Sequence, residues 1–374
     1  MNHSRTKKNQ PPVLESNSSE IIPARGSQKR EIKKSVKRVA RKIADYEQSR
    51  PTQLTFFELL LPTERDYSNT IELYDFIPKY VWGKVERVQG QFLHRLERDF
   101  ECRSTPYTVK IDPAKVEDSD GVVRDYFPGK REELVEDALR KLATGGQGLF
   151  LDDEAAVTFT LYQLQQELMR TGHTYSIQEL KNALMVCVGT TIHITDATGN
   201  TVFSNNLFEA VGLQTKEDWI GHGEKERGFV RFNGLVTSSI RRRVFRQYNY
   251  EVAMSYRLVI SRQLHKRMSH HYSQAHLAQP YTILLSTVIR DFGLTAYEKL
   301  SHNMRDVKQA LAEMVEAEVL FRFDIIKIAS AQRKNKIADY KIILFPHQKF
   351  VSEVIAANRK LKDNSLPQLN SPKT

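Results

Sequence analysis

An α+β fold of two like-ordered units behind a basic arm is what the sequence predicts, and three observations predict it. Charge is concentrated at one end: residues 1–50 hold 13 Lys/Arg and 5 Asp/Glu, +8 of the chain's +11, which leaves +3 for the other 324 residues. Helical and alternating apolar periods follow one another in the same order twice, once over 130–203 and once over 250–345. A glycine closes the helix ahead of the tight turn in both series, Gly172 in the first and Gly293 in the second. A chain of 374 residues has room for two or three separate cores.

Residues 1–28, rich in Ser, Pro, Asn, Gln and charge, are expected to be disordered. From residue 29 to 48, Ile32, Val36, Val39, Ile43 and Tyr46 recur at helical spacing. Lys33, Lys34, Lys37, Arg38, Arg41 and Lys42 cover the other face, so a basic amphipathic helix is expected, stopped at Arg50-Pro51. An arm of this charge suits the phosphates of a nucleic acid, and an anionic membrane surface attracts the same charge. No run of about 18 apolar residues occurs, which argues against a transmembrane helix. The first residues lead into no apolar stretch of the secretory kind, so a cytoplasmic, nucleic-acid-associated protein is expected. The two cysteines, Cys102 and Cys187, form no metal-ligand pair; they allow one disulfide or, in a cytoplasm, two reduced thiols.

The first unit is assigned to residues 70–245. Ile71 to Ile77 and Tyr107 to Ile111 alternate like strands, and the turn Asp118 to Gly121 leads to another at Val122 to Tyr126. Leu134, Ala138 and Leu142 mark a helix ended by Gly145-Gly146. After a short strand at Val157 to Phe159, Leu161, Leu164 and Leu168 mark a second helix closed by Gly172. The turn His173 to Tyr175 leads to a third, with Ser176 as N-cap and Glu179 completing the capping box. Ile177, Leu180, Leu184 and Cys187 are its inward stripe, and a hairpin follows around Asp196 to Asn200. Helix, helix, tight turn, helix, hairpin is the order of a winged helix-turn-helix.

The second unit is assigned to residues 246–362. A long helix is expected over 250–272, then one through Ile283, Leu284, Val288, Ile289 and Phe292, a turn at Leu294 to Tyr297, and a helix turning Met304, Val307, Leu311 and Met314 inward. Strands at Leu320 to Ile328 and Tyr340 to Phe345 flank a basic loop, a short helix runs from Gln348 to Leu361, and residues 363–374 are a polar tail. The order repeats and the residues do not, so the fold class is two tandem winged-helix units preceded by a disordered basic arm.

Signals for catalysis are missing from the sequence. It holds no Gly-x-x-x-x-Gly-Lys-Ser/Thr, no Cys-x-x-Cys and no His-Glu-x-x-His. His193 stands alone in its strand where DNA-nicking replication proteins pair two histidines. Asp152-Asp153-Glu154 has the look of a solvated turn. His265, His270, His271 and His276, flanked by Lys266 and Arg267, are assigned to a solvated or phosphate-contacting face in preference to a metal site. No catalytic residue, metal or cofactor is expected.

Binding chemistry remains. In a helix-turn-helix the second helix of the corner enters the major groove, about 12 Å wide, and presents side chains to base edges. In the first unit the outward positions are Gln178, Lys181 and Asn182, with Tyr175 and Ser176 at the start of the helix. In the second they are Ser301, His302, Asn303, Arg305 and Gln309. Gln and Asn read adenine bidentately, Arg reads guanine N7 and O6, and Lys reaches guanine or phosphate. Amphipathicity alone demands a polar outer face. The recurrence of amide and basic residues at the same place in both units favours double-stranded DNA. Arg241, Arg242 and Arg243 suit phosphate contacts between the units, and Arg333, Lys334 and Lys336 put charge on the tip of the second hairpin.

Between the arm and the first unit, in the segment 51–62, lie Gln53-Leu54-Thr55-Phe56-Phe57. The glutamine amide donates and accepts hydrogen bonds, and the leucine and phenylalanines suit an apolar pocket. The pentapeptide resembles the one with which bacterial replication proteins grip the DNA polymerase sliding clamp, with Phe56 where leucine is often found. Taken with Val157 to Leu168, Lys266 to Tyr272 and Ala310 to Leu320, it makes the chain resemble the TrfA-like replication initiators of broad-host-range bacterial plasmids, within the wider group of tandem winged-helix Rep proteins. The likeness spans about residues 50–60 and 105–345; a longer insertion around Ser204 to Gly228 departs from it. The resemblance implies binding to repeated origin sequences (iterons), melting of adjacent DNA, and recruitment of host initiator, replicative helicase and clamp through Gln53, Leu54, Phe56 and Phe57. It also implies that monomers act at the origin while homodimers are inactive or repress their own promoter. A winged-helix transcription regulator is the alternative, although it has no evident need of the clamp-like peptide. A nuclease or relaxase is a third class, expected to cleave DNA with added divalent metal.

Overall fold

The computed structural model describes residues 67–118, 120–151, 153–213, 228–242, 245–330 and 336–365. The basic arm, its expected helix, the clamp-like peptide and most of the polar tail lie outside the described residues. So do Arg243, Arg333 and Lys334. The described part is a mixed α+β structure built around two hydrophobic cores.

The chain enters through β1 (Tyr67–Thr70) and α1 (Glu72–Phe76). Alternation predicted a strand over 71–77, and a helical turn forms instead. Asp75 accepts from the Ile71 N–H at 2.6 Å while the Ile71 carbonyl accepts from the Asp75 N–H at 2.8 Å. Ile71, Tyr74 and Ile77, three residues apart, carried the helical option in the same letters, and all three are buried. Strands β2 (Leu96–Cys102) and β3 (Thr105–Asp112) follow, then the ribbon β4 (Ala114–Glu117) and β5 (Val123–Tyr126).

Helix α2 (Lys130–Leu142) ends in a wide turn where Gly146 takes φ +96°, a conformation glycine adopts without steric cost. Strands β6 (Gly148–Leu151) and β7 (Glu154–Phe159) lead to α3 (Leu161–Arg170) and α4 (Ile177–Gly189). Next come β8 (Thr191–Asp196), β9 (Thr201–Asn206), β10 (Phe208–Leu213), β11 (Gly228–Phe232) and α5 (Gly234–Arg241). The expected hairpin is β8–β9, and it belongs to a larger antiparallel sheet ordered β2-β3-β8-β9. A second sheet runs β10-β11-β7-β6. Leu134, Leu164, Leu180 and Leu184 have no exposed surface in this first core, and each such burial contributes about 1.5–3 kcal/mol.

Strand β12 (Arg246–Asn249) pairs back onto β1 and continues into α6 (Tyr250–Ser255). The long helix expected over 250–272 is broken here, and α7 (Val259–His271) starts afresh. The cause lies 56 residues on: the Glu313 carboxylate accepts from the Arg257 N–H at 2.6 Å and the Leu258 N–H at 3.3 Å, satisfying backbone donors that a continuous helix would have used. Tyr248, Tyr250, Ala253 and Met254 belong to the first core and Tyr256 to the second, so the change of core falls at the break. Strand β13 (Tyr281–Leu284), α8 (Leu285–Asp291), α9 (Leu300–Glu316), β14 (Leu320–Ala329), β15 (Ile337–Pro346) and α10 (Gln348–Ser365) complete the chain. Ile283 and Leu284, expected in a helix, instead add an edge to the sheet β13-β15-β14. Cys102 and Cys187 are both buried as thiols.

The cores meet across charge. Glu133 and Asp137, one turn apart on α2, face Arg262 and Lys266, one turn apart on α7. Arg262 donates to Glu133 at 2.9 and 3.2 Å, Gln263 donates to the same carboxylate at 2.7 Å, and Lys266 donates to Asp137 at 2.6 Å. On the next face of α2, Glu136 and Arg140 join Asp75 and Lys79. This corrects the solvated face assigned to Lys266 and Arg267. Lys266 is buried against its carboxylates, and Arg267 is buried with Asp291 at 2.9 Å. His265 is buried among Tyr256, Tyr248 and Phe350, where burial and the neighbouring Lys266 push its imidazole down to about 3. His270 and His271 pack on the Phe76 ring.

Candidate nucleic-acid interface

Two helices, each reached through a tight turn, carry the polar faces of interest. The turn before α4 forms because α3 ends at Thr171, Gly172 takes φ +86°, and the His173 N–H reaches back to the Leu168 carbonyl at 2.8 Å. Ser176 then caps α4: its hydroxyl accepts from the Glu179 N–H at 3.2 Å, while its own N–H donates to the Glu179 carboxylate at 2.8 Å. Leu180, Leu184 and Cys187 turn inward as expected.

The outer face of α4 is small and largely self-satisfied. Gln178 is exposed and donates from Nε2 to Asn182 Oδ1 at 2.9 Å, and Lys181 is half-exposed beside them. Tyr175 is half-buried against the first core, and burial raises its phenol. The hairpin after α4 ends in an acid: Asp196 accepts from the N–H groups of Thr198 and Asn200 at 2.9 and 3.0 Å. The Thr198 hydroxyl, then those N–H groups, hold this carboxyl below its ordinary range. On the sheet behind, Ser204, His193, Asp112 and Arg95 form a hydrogen-bonded row, with contacts of 2.7 Å from Ser204 to His193 and 3.0 Å from His193 to Asp112.

The corner before α9 is closed differently. Gly293 takes φ +62°, and the Leu294 N–H bonds the Ile289 carbonyl at 3.0 Å. Asn303 then reaches back into the loop. Its Oδ1 accepts from the Tyr297 N–H at 3.0 Å and its Nδ2 donates to the Thr295 carbonyl at 2.8 Å. Asn303 is 3% exposed, so the base-reading role expected of it is corrected to a loop clamp. Both sides of its amide are spent on backbone.

Around that clamp the outer face of α9 is open. Ser301, His302, Arg305 and Gln309 are exposed, as is Lys308, which sequence reasoning passed over. Lys308 lies one helical turn beyond Arg305, and continuing the outward period would have found it. Arg305 has 67% of its side chain exposed and leans on Asp306 at 3.3 Å. Met304, Val307, Leu311 and Met314 fill the second core from the opposite face, as the periodicity predicts. The following hairpin β14–β15 is ten residues on each strand, with Lys327, Lys336 and Lys341 exposed along it. Its tip closes by a 2.7 Å bond from the Ser330 N–H to the Lys336 carbonyl.

The arginine cluster is divided. Arg241 is engaged within the fold, donating to the Asp153 carbonyl and lying 5.6 Å from the Phe150 ring centre. Arg242 is exposed at the end of α5. Tyr162 on α3, 66% exposed, is a further aromatic on the first corner that the sequence reading left unremarked. A lone tyrosine in a polar helical turn gave no signal there. Among the described residues, no group of three His, Cys, Asp or Glu side chains is placed to hold a metal ion, and no helix is long and apolar enough to cross a membrane.

No family model matches the chain, and no curated protein matches it in sequence. Among solved structures it is similar to domains 2–3 of RctB, with a TM-score of 0.44 and 9% identity over 76% of this chain and 99% of that one. A selenomethionine form of the same RctB domains gives 0.44 and 9% over 70% and 94%. The Pi initiator protein in complex with iteron DNA gives 0.38 and 11% over 64% and 98%. At such scores and identities these are resemblances of outline, and the functional reading rests on the residues themselves.

Proposed function

We propose that the protein is a sequence-specific, double-stranded DNA-binding replication initiator of the tandem winged-helix kind. In this reading residues 70–245 and 246–362 form the two DNA-reading units, and α4 and α9 are their groove helices. The observation that carries the proposal is the outer face of α9, where Ser301, His302, Arg305, Lys308 and Gln309 stand exposed directly after a clamped turn and ahead of a lysine-bearing hairpin. A rigid helix offering a guanidinium, an amide and an ammonium on one stripe suits base edges, and exposed lysines on the adjoining hairpin suit phosphates.

Arg305 is the guanine reader, Gln309 the amide reader, and Lys308 and Lys336 hold backbone. The α4 face adds Gln178, Lys181 and Asn182, and Arg242 contributes phosphate contact between the units. The protein acts by binding, without catalysis of its own. From the sequence resemblance come the finer parts of the proposal: origin repeats as the site, melting of adjacent DNA, and recruitment of helicase, host initiator and sliding clamp. The clamp contact would run through Gln53, Leu54, Phe56 and Phe57, and monomer and homodimer would divide initiation from repression.

The test is Arg305→Ala on a cognate duplex and on random duplex. The expected loss is about 1–3 kcal/mol on the cognate site, with relaxed preference at one base pair. Equal loss on both DNAs would remove the base-reading role.

A further inference from the structure

The ionic contact between α2 and α7 has a mechanical position as unusual as its burial. Helix α4 packs on α2 through the first core, and α9 packs on α7 through the second. Helix α9 is also tied to α7 by hydrogen bonds, since Ser261 donates to the Ala310 carbonyl at 3.3 Å and Glu313 accepts from the N–H groups ahead of α7. The two outer faces are therefore joined in series: α4, α2, the ionic seam, α7, α9. Every link but the middle one includes apolar packing. The middle link is made of paired charges: the Arg262 and Glu133 side chains are 0% and 1% exposed, and a shift of one turn would keep a single pair, Glu133 with Lys266 or Asp137 with Arg262, and leave one buried carboxylate and one buried cation without a counter-ion.

We propose that the Glu133–Arg262 and Asp137–Lys266 seam is a spacer that fixes the separation and angle between the polar faces of α4 and α9, so that the protein accepts one spacing between the two blocks of a DNA site. The DNA half of this statement rests on the reading given under Proposed function. Buried apolar surface alone would hold the cores together at several neighbouring angles. Ion pairs whose members lie one turn apart on each helix select one register, the best attested use of buried charge. A second brace, Trp82 Nε1 donating to the Phe292 carbonyl at 2.6 Å and Arg290 at 3.3 Å from Glu101, keeps the cores attached when the seam is altered. Attachment and angle are thereby separable.

The experiment has one arm without DNA and one with it. Spin labels are placed at Met185→Cys on α4 and Ala312→Cys on α9, both exposed and each one turn beyond the last named residue of its polar face, in a chain whose native Cys102 and Cys187 are buried. The full chain should give one narrow distance. Glu133→Leu with Arg262→Met, which removes the pair and leaves neither charge orphaned, should stay folded and broaden it; Glu133→Gln alone serves as the second variant. In unlabelled protein, one base pair inserted between the two blocks turns the second by about 35°. That should weaken the parent chain about tenfold or more and the seam variant by less than about threefold. A folded seam variant that keeps both the narrow distance and the full insertion penalty would overturn the spacer. A distance that broadens as expected in a chain with no preferred duplex would uphold the seam and overturn the DNA reading instead.

Discussion

The faces of α4 and α9 occupy the same place in their units and are built to opposite ends. On α4 the N-terminus is capped by its own Ser176 and Glu179, Gln178 donates to the Asn182 amide oxygen, and the hairpin beyond ends in Asp196. On α9 no side chain caps the first turn, the inward Asn303 clamps the loop, and Arg305, Lys308 and Gln309 are left open, with lysines along the hairpin. Donors on an exposed rigid face that are held by no more than one long ion pair, as Arg305 is by Asp306 at 3.3 Å, are where a nucleic acid gains most, since little internal bonding must first be broken. Under the proposed function, the contrast places base reading chiefly in the second unit, with the first orienting it.

Substitutions on each face and on the link between them put the difference to the test. The largest effect should come from the link both faces share. Glu133→Gln leaves Arg262 buried without its partner and should cost about 3–5 kcal/mol in denaturant-induced unfolding. The same seam carries a pH dependence. Burial raises Glu133 and, beside the seam, Asp75, but Arg262 and Lys266 outweigh it for the first and Arg140 and Lys79 for the second, so both carboxyls are held below their ordinary values. For Asp137 burial outweighs Lys266, its carboxyl is held above the ordinary value, and its contribution opposes theirs. With the folded-state values of Glu133 and Asp75 below the unfolded ones, the unfolded chain takes up protons at these two first as pH falls. Their stabilisation is therefore complete above the ordinary carboxylate range, at about pH 5, and is lost as pH drops through the depressed folded values. Unfolding midpoints followed downward from pH 6 should fall, and the fall should be shallower in Glu133→Gln. A midpoint unchanged down to pH 3 would contradict the ionised seam.

Next in size is Asn303→Ala, which strips partners from the Tyr297 N–H and the Thr295 carbonyl and should cost about 1–3 kcal/mol of stability. Its binding loss should follow from the loosened turn, in contrast to Arg305→Ala, which should leave the unfolding midpoint unchanged. Lys181→Ala should weaken binding evenly across sequences and reduce the salt slope by about 1. Smallest is Gln178→Ala, expected to cost about 0.2–0.5 kcal/mol of stability through the lost pair with Asn182, with little change in base preference. A strong shift in base preference from Gln178→Ala would reverse the assignment of roles.

Local signals in the sequence were read well and distant ones were not. The capping box at Ser176, the inward stripe of Met304, Val307, Leu311 and Met314, and the turn at Gly293 all depend on residues within one or two helical turns, and the structure has each of them. The break at Tyr256 depends on Glu313, and the burial of Lys266 depends on Asp137, more than a hundred residues away. A basic helix facing solvent and a basic helix facing carboxylates have the same letters. Asn303 failed for a related reason: its outward neighbours made it look outward, and only the loop geometry turns it in. The α4 face was legible in its positions, while the hydrogen bond between its amides was not.

Whether these two faces read one duplex together, as proposed, is decided by selection of the full chain against a random duplex library. Enriched sequences should hold two conserved blocks at one fixed spacing, with Arg305→Ala erasing the preference at one guanine of one block. A library that emerges unenriched, or a single block indifferent to Arg305→Ala, would contradict a joint reading.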